Sequence, residues 1–159
     1  MTQIPLFQPP SEWTPPEKVP NLSEAKEIAI DLETYDPDIK TNGPGWAIDN
    51  GYVAGIAIAI EGWKGYFPIR HEGGGNFDEA ILKRQIQKIM DLPCDKIFHN
   101  AAYDVGWLRW WGVEVKGKII DTLIAAPLID ENRFRYSLNE LGKDYLKETK
   151  SEALLYEAA

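Results

Sequence analysis

At 159 residues, 44% of them hydrophobic, the chain can bury one sizeable core but is too short for two ordinary domains, so a single globular domain is expected. One cysteine, Cys94, excludes an internal disulfide, and a formal net charge of −8 argues against a protein that coats nucleic acid by electrostatics alone, because such binders need clustered lysine and arginine. An active site built of carboxylates is compatible with that charge, since a bound divalent metal offsets it locally.

Residues 1 to 22 carry Pro5, Pro9, Pro10, Pro15, Pro16 and Pro20, which remove backbone donors and favour extended structure. They read as a proline-rich arm, with the domain proper over residues 23 to 159. No basic start followed by an apolar run and a small-residue cleavage site opens the chain, and the longest apolar run, Val53 to Ile60, has only strand length. A cytoplasmic protein without a membrane span is expected.

Glu27 to Thr34 reads EIAIDLET, with Ile28, Ile30 and Leu32 on one side and Ala29, Asp31 and Glu33 on the other, the alternation of a strand. Tyr52 to Ile60 and Trp63 to Ile69 are β-rich runs separated by Glu61 and Gly62, close enough for a hairpin. Asn76 and Glu79 have capping-box spacing, and Ile81, Leu82, Ile86, Ile89 and Met90 then recur at helical intervals. Lys96 to His99 predicts a short strand, Ala101 to Trp111 a helix closed by Gly112, and Lys118 to Ile120 another short strand leading into Asp121. Ser137 and Glu140 form a second capping box, opening a helix through Tyr145, and the final residues look like the start of a further one. The order βββαβαβα predicts an α/β protein: a mixed sheet flanked by helices that bury their apolar stripes on it, as in the ribonuclease-H-like fold.

Asp31 and Glu33 leave the same face of their strand, at the end of an apolar run that should lie centrally in the sheet. A divalent cation would relieve the cost of two charges there; a strand end rising into solvent would leave no cost to relieve. Asp104 falls in the first turn of the Ala101 helix and shares a face with Trp107, Leu108 and Trp111. It reads either as an acid placed for chemistry or as a favourable charge at a helix N-terminus. His71 and His99 are the only histidines, too few for a histidine-rich metal site. Trp107, Trp110 and Trp111 have helical spacing that suits packing at least as well as base stacking, and Gly73-Gly74-Gly75 reads as a connector.

Together Asp31-Leu32-Glu33-Thr34 and Asn100 with Tyr103-Asp104 resemble the first two exonuclease motifs of the four-carboxylate (DEDD) superfamily. Tyr66 to His71, Asp121-Thr122-Leu123 and Tyr136 to Leu141 are similar to segments of the proofreading 3'-5' exonuclease domains of family-A DNA polymerases, especially phage ones. The resemblance runs from about Ala25 to Leu146 and implies two divalent ions, Mg2+ or Mn2+, acting on the terminal phosphodiester of a single-stranded DNA 3' end. It assigns Asp31, Glu33 and Asp104 as catalytic metal ligands. Leu32, Thr34, Asn100 and Tyr103 would lie along the substrate, Asn100 being equally readable as a helix cap and Tyr103 as a packing residue. Asp121 reads as a helix cap near the site.

The superfamily also needs a late fourth aspartate, with a tyrosine four positions before it in the polymerase type. Tyr136 and Glu140 have that spacing but sit inside the capping box, and Asp130 and Asp144 lack the tyrosine. The resemblance therefore implies a C-terminally incomplete exonuclease, impaired by itself, whose remaining motif a polymerase or a second polypeptide would supply. Two rival readings are a ribonuclease D-like RNA 3'-end exonuclease, which shares motifs and fold, and a non-catalytic interaction domain with a decayed site.

Overall fold

The computed structural model describes residues 14 to 148; most of the proline arm and the expected final helix lie outside them. The first strand, β1 (Glu27–Tyr35), alternates as the sequence requires, with Ile28, Ile30 and Leu32 buried and Ala29, Asp31 and Glu33 half-buried on the opposite face. It pairs antiparallel with β2 (Tyr52–Ile60), which pairs antiparallel with β3 (Trp63–Pro68). On its other side β1 runs parallel to β4 (Asp95–Phe98), and β4 runs parallel to β5 (Ile119–Asp121). The order β3-β2-β1-β4-β5 makes β1 the central strand of a mixed five-stranded sheet, as expected.

Across the sheet Leu32 faces Ile56, Ile56 faces Phe67 and Ile30 faces Ile58, so one face is apolar over three strands. Leu82, Ile86 and Met90 of α2 (Glu79–Met90) and Trp107, Leu108 and Trp111 of α3 (Ala101–Trp111) complete that core. Each such side chain contributes about 2 kcal/mol on burial, against less than about 1 kcal/mol for an exposed ion pair such as Arg70–Glu79. The apolar face therefore decides the orientation of β1, and the acids are left on the other side. Leu22 is also buried in this core with Val19 beside it, so the end of the proline arm is tied to the domain.

Two local expectations are corrected. The cap of α2 is Asp78, whose carboxylate accepts the Ile81 N–H; Asn76 instead makes two hydrogen bonds to the backbone of His71, and Glu79 pairs with Arg70. Asp78 sits one residue before the first helical position, where its carboxylate also meets the helix dipole, whereas Asn76 lies two residues too early to cap it. The Ser137 cap does form, but α5 (Leu138–Leu141) is a single turn that passes into a π-helical turn over Gly142–Leu146. A short helix, α1 (Ile39–Asn42), and a 3-10 turn (Gly45–Ala47) occupy the β1–β2 connection, where four residues or fewer give no readable period. The remaining helix, α4 (Thr122–Ile129), follows β5 directly. Among the described residues no helix is long and apolar enough to cross a membrane.

Lys96, on the core face of β4, is fully buried. Its ammonium donates to the carbonyls of Leu92, Cys94 and Lys116, joining the α2–β4 turn to the segment before β5. A buried ammonium is tolerable only with such partners.

Candidate active site

Two segments far apart in sequence carry the candidate residues: the second half of β1 and the N-terminal turn of α3. On β1, Asp31 and Glu33 stand opposite Ala57 and Gly55 of β2, whose small or absent side chains leave the acids room. The register shifts between Glu33 and Thr34, a bulge that re-aims the residues beyond it. Tyr66 of β3 lies across from Ala57 and leans over Gly55, where a Cβ would come within 1.9 Å of its hydroxyl. Burial first, and then the charges of Glu33 and Asp31, hold that hydroxyl well above its ordinary pKa. The same hydroxyl is 2.6 Å from Nε2 of His71, whose own pKa burial lowers.

At the start of α3, Asn100 has left-handed backbone (φ 72°) and its side chain makes no cap bond. The capping falls to Asp121 at the end of β5, which accepts the N–H groups of Asn100 at 3.0 Å, Ala101 at 2.9 Å and, for α4, Leu123 at 2.9 Å. Burial opposes the Asp121 charge, but these three backbone donors outweigh it and hold its carboxyl below the ordinary range. Asp121 is thus the helix cap that the sequence suggested, for two helices rather than one. Asn100 is corrected as a cap and stands exposed beside the helix start.

Tyr103 does more than pack. Its hydroxyl lies 2.8 Å from Thr34 Oγ1 and donates to Asp36 Oδ2 at 2.9 Å, joining β1 to α3. Asp104 follows immediately and is 4% exposed, one of two buried charged residues with Lys96 among those described. Leu32 turns its side chain into the core, so only its backbone is available to a substrate. The structure therefore brings Thr34 to Tyr103, sets Asp31 and Glu33 beside Tyr66, and places Asp104 in the turn that Tyr103 anchors.

Beside Asp31 a groove of about 550 Å³ runs over the second sheet face, lined by Ala29, Ala57, Tyr66, His99 and Leu138 among others, while Glu33 and Asp104 lie outside its lining. His99 Nδ1 is held by Thr122 Oγ1 at 2.9 Å, so both histidines have local partners. Trp107 and Trp111 are core residues, and Trp110 is half-buried with its Nε1 donating to Asp49. Sequence reasoning passed over Asp36 and the contact of Tyr66 with Gly55, for which no local pattern gives a signal.

Among the described residues no three His, Cys, Asp or Glu side chains form a ready-made metal cage. The donor chemistry nevertheless fits a hard cation: Asp31, Glu33 and Asp104 offer carboxylate oxygen only, and Mg2+ is commonly held by one or two carboxylates plus substrate phosphate and water.

No protein-family model matches the sequence. The chain is 39% identical over 165 aligned residues to a DNA-directed DNA polymerase of Pseudomonas phage M6, covering 99% of this chain but 25% of that protein, so it spans about a quarter of the length of that curated relative. Brucella melitensis NrnC with bound Mg2+ superposes with a TM-score of 0.60 at 22% identity, over 89% of this chain and 69% of that one. Escherichia coli RNase D, an exoribonuclease involved in structured RNA processing, superposes with a TM-score of 0.57 at 19% identity, over 83% of this chain and 31% of that one. The chain is therefore similar in sequence to a phage DNA polymerase over a quarter of that protein's length, and its mixed sheet has the ribonuclease-H-like fold of these solved neighbours.

Proposed function

We propose that the chain is a proofreading 3'-5' exonuclease module that removes nucleotides from single-stranded DNA 3' ends, with Asp31, Glu33 and Asp104 holding two divalent ions, Mg2+ or Mn2+. The observation that carries this reading is the 2.8 Å contact between Thr34 and Tyr103, which joins the residue after Glu33 to the residue before Asp104. Sequence identity to a phage DNA polymerase favours DNA over RNA as substrate.

In this reading Asp31, Glu33 and Asp104 would hold the ions, with Glu33 also facing the terminal 3' hydroxyl. Bound there, the ions supply water activation and offset charge on the leaving 3' oxygen. The chain's own residues orient the strand: the backbone of Leu32 and the exposed Asn100 lie along its end, and the alanine wall of the groove leaves width for a base. Lys64 on the groove rim offers a cation to the phosphates of a chain that is otherwise strongly acidic.

Calorimetric titration with Mn2+ tests the site. Wild-type protein should bind, and Asp31→Asn and Asp104→Asn should each abolish or sharply weaken binding; no binding by the wild type, or binding that both variants keep, overturns the reading. With 5'-labelled oligonucleotides, DNA should be shortened, slowly by this chain alone, in preference to RNA, and the reverse preference would move the assignment to the ribonuclease D type.

A further inference from the structure

Asp36 belongs to neither exonuclease motif, yet it ties both to the β1–β2 connection. Its Oδ2 accepts the Tyr103 hydroxyl at 2.9 Å and the Gly45 N–H at 3.0 Å. A carboxylate only accepts, so the Tyr103 hydrogen is committed to Asp36, and the contact between Tyr103 and Thr34 must be donated by Thr34. The donors therefore run from Thr34 to Tyr103 to Asp36, and each hydroxyl has spent its one hydrogen.

The base of this chain of bonds is itself fixed. Gly45 is buried, and a Cβ on it would stand 1.8 Å from the Asn50 carbonyl, so the segment presenting its N–H has little room to shift. Trp46, the next residue, lies against α3 so closely that a Cβ on Gly106 would meet its ring at 2.4 Å. Tyr103 and Gly106 are three apart on α3 and share one face. The β1–β2 connection thus grips that face at two points, one polar through Asp36 and one apolar through Trp46.

We propose that Asp36 is a positioning residue: through Tyr103 it sets the first turn of α3, and with it Asp104, against the end of β1 that carries Asp31 and Glu33. The inference rests on reading those three acids as the ion site. It assigns the hydroxyls of Thr34 and Tyr103 to the architecture of the site, with no hydrogen left for either to donate to substrate.

Asp36→Ala, Asp36→Asn, Tyr103→Phe and the Asp36→Ala/Tyr103→Phe double variant form the test. Mn2+ affinity, read by calorimetry, should fall about tenfold or more in Asp36→Ala and in Tyr103→Phe, in line with other residues that orient metal ligands. The double variant should be no worse than either single one, and Asp36→Asn, which keeps an accepting oxygen, should recover most of the affinity. Additive losses, or equal loss with Asn and Ala, overturn the proposal.

Amide exchange at Val105 and Gly106, whose helical hydrogen bonds close the first turn of α3, provides a readout independent of any ion. It should accelerate in Asp36→Ala and stay slow in Asp36→Asn. Should the wild type fail to bind Mn2+ while exchange follows this pattern, the reading of the acids falls and the clamp stands; unchanged exchange in Asp36→Ala sinks the clamp itself.

Discussion

The hydroxyl of Tyr66 occupies the place where Gly55 has no side chain, for a Cβ built there would lie 1.9 Å from it. Gly55→Ala must therefore push Tyr66 away from His71 and from the acids of β1. Overpacking of this kind costs about 1 to 3 kcal/mol. The urea midpoint should drop accordingly, and adding Tyr66→Ala should restore part of it; an unchanged midpoint in Gly55→Ala would mean that Tyr66 has another position of equal energy.

Asp121 has a depressed folded-state pKa, because the N–H groups of Asn100, Ala101 and Leu123 outweigh the burial that opposes its charge. A depressed acid contributes stability above its unfolded pKa of about 3.9 and loses it as pH falls through the lower folded value. Asp121→Ala should thus destabilise the protein by about 2 kcal/mol near neutrality, with the deficit shrinking as pH falls below about 4. Thermal melts of both proteins across pH check this, and a deficit that does not vary with pH would contradict it.

Lys96→Met keeps most of the stem's volume but strips the donors from three carbonyls, those of Leu92, Cys94 and Lys116. The loss should be about 3 kcal/mol, near the upper range for buried polar partners left unmade. Denaturant unfolding gives the value. A loss under about 0.5 kcal/mol, the range of an ordinary surface change, would show that water takes over those carbonyls.

Gly106→Ala brings a methyl within 2.4 Å of the Trp46 ring. Helix propensity alone would favour alanine by about 1 kcal/mol, so any net destabilisation measures the contact between the β1–β2 connection and α3. The expected sign is destabilising, with a shift in Trp46 fluorescence; a stabilised variant would mean that Trp46 is free to swing away.

Much of the sheet was legible because it depends on short patterns. EIAIDLET alternates strictly enough to set one face of β1 apolar, and the two-residue gap at Glu61-Gly62 leaves β2 and β3 no connection but a hairpin. Ala101 to Trp111 was legible to the residue, since Gly112 ends it in left-handed backbone (φ 89°). The α2 cap was misread because two acceptors, Asn76 and Asp78, compete within three positions and the chain turns back on His71 to use the first elsewhere. In the candidate site the sequence nominates the acids, but gives no sign of the contacts around them, such as Tyr103 to Asp36.

From its sequence alone the protein has its strands, the centrality of β1 and the exile of Asp31 and Glu33 from the core, because periodicity of burial acts between residues a few positions apart. Only the folded chain decided that Asp121 caps a helix 20 positions earlier, that Tyr66 roofs Gly55, and that Asp36 accepts the hydroxyl of Tyr103 across 67 positions. Such contacts are set by where separate elements come to rest against a shared core, a through-space outcome that no local run of residues encodes.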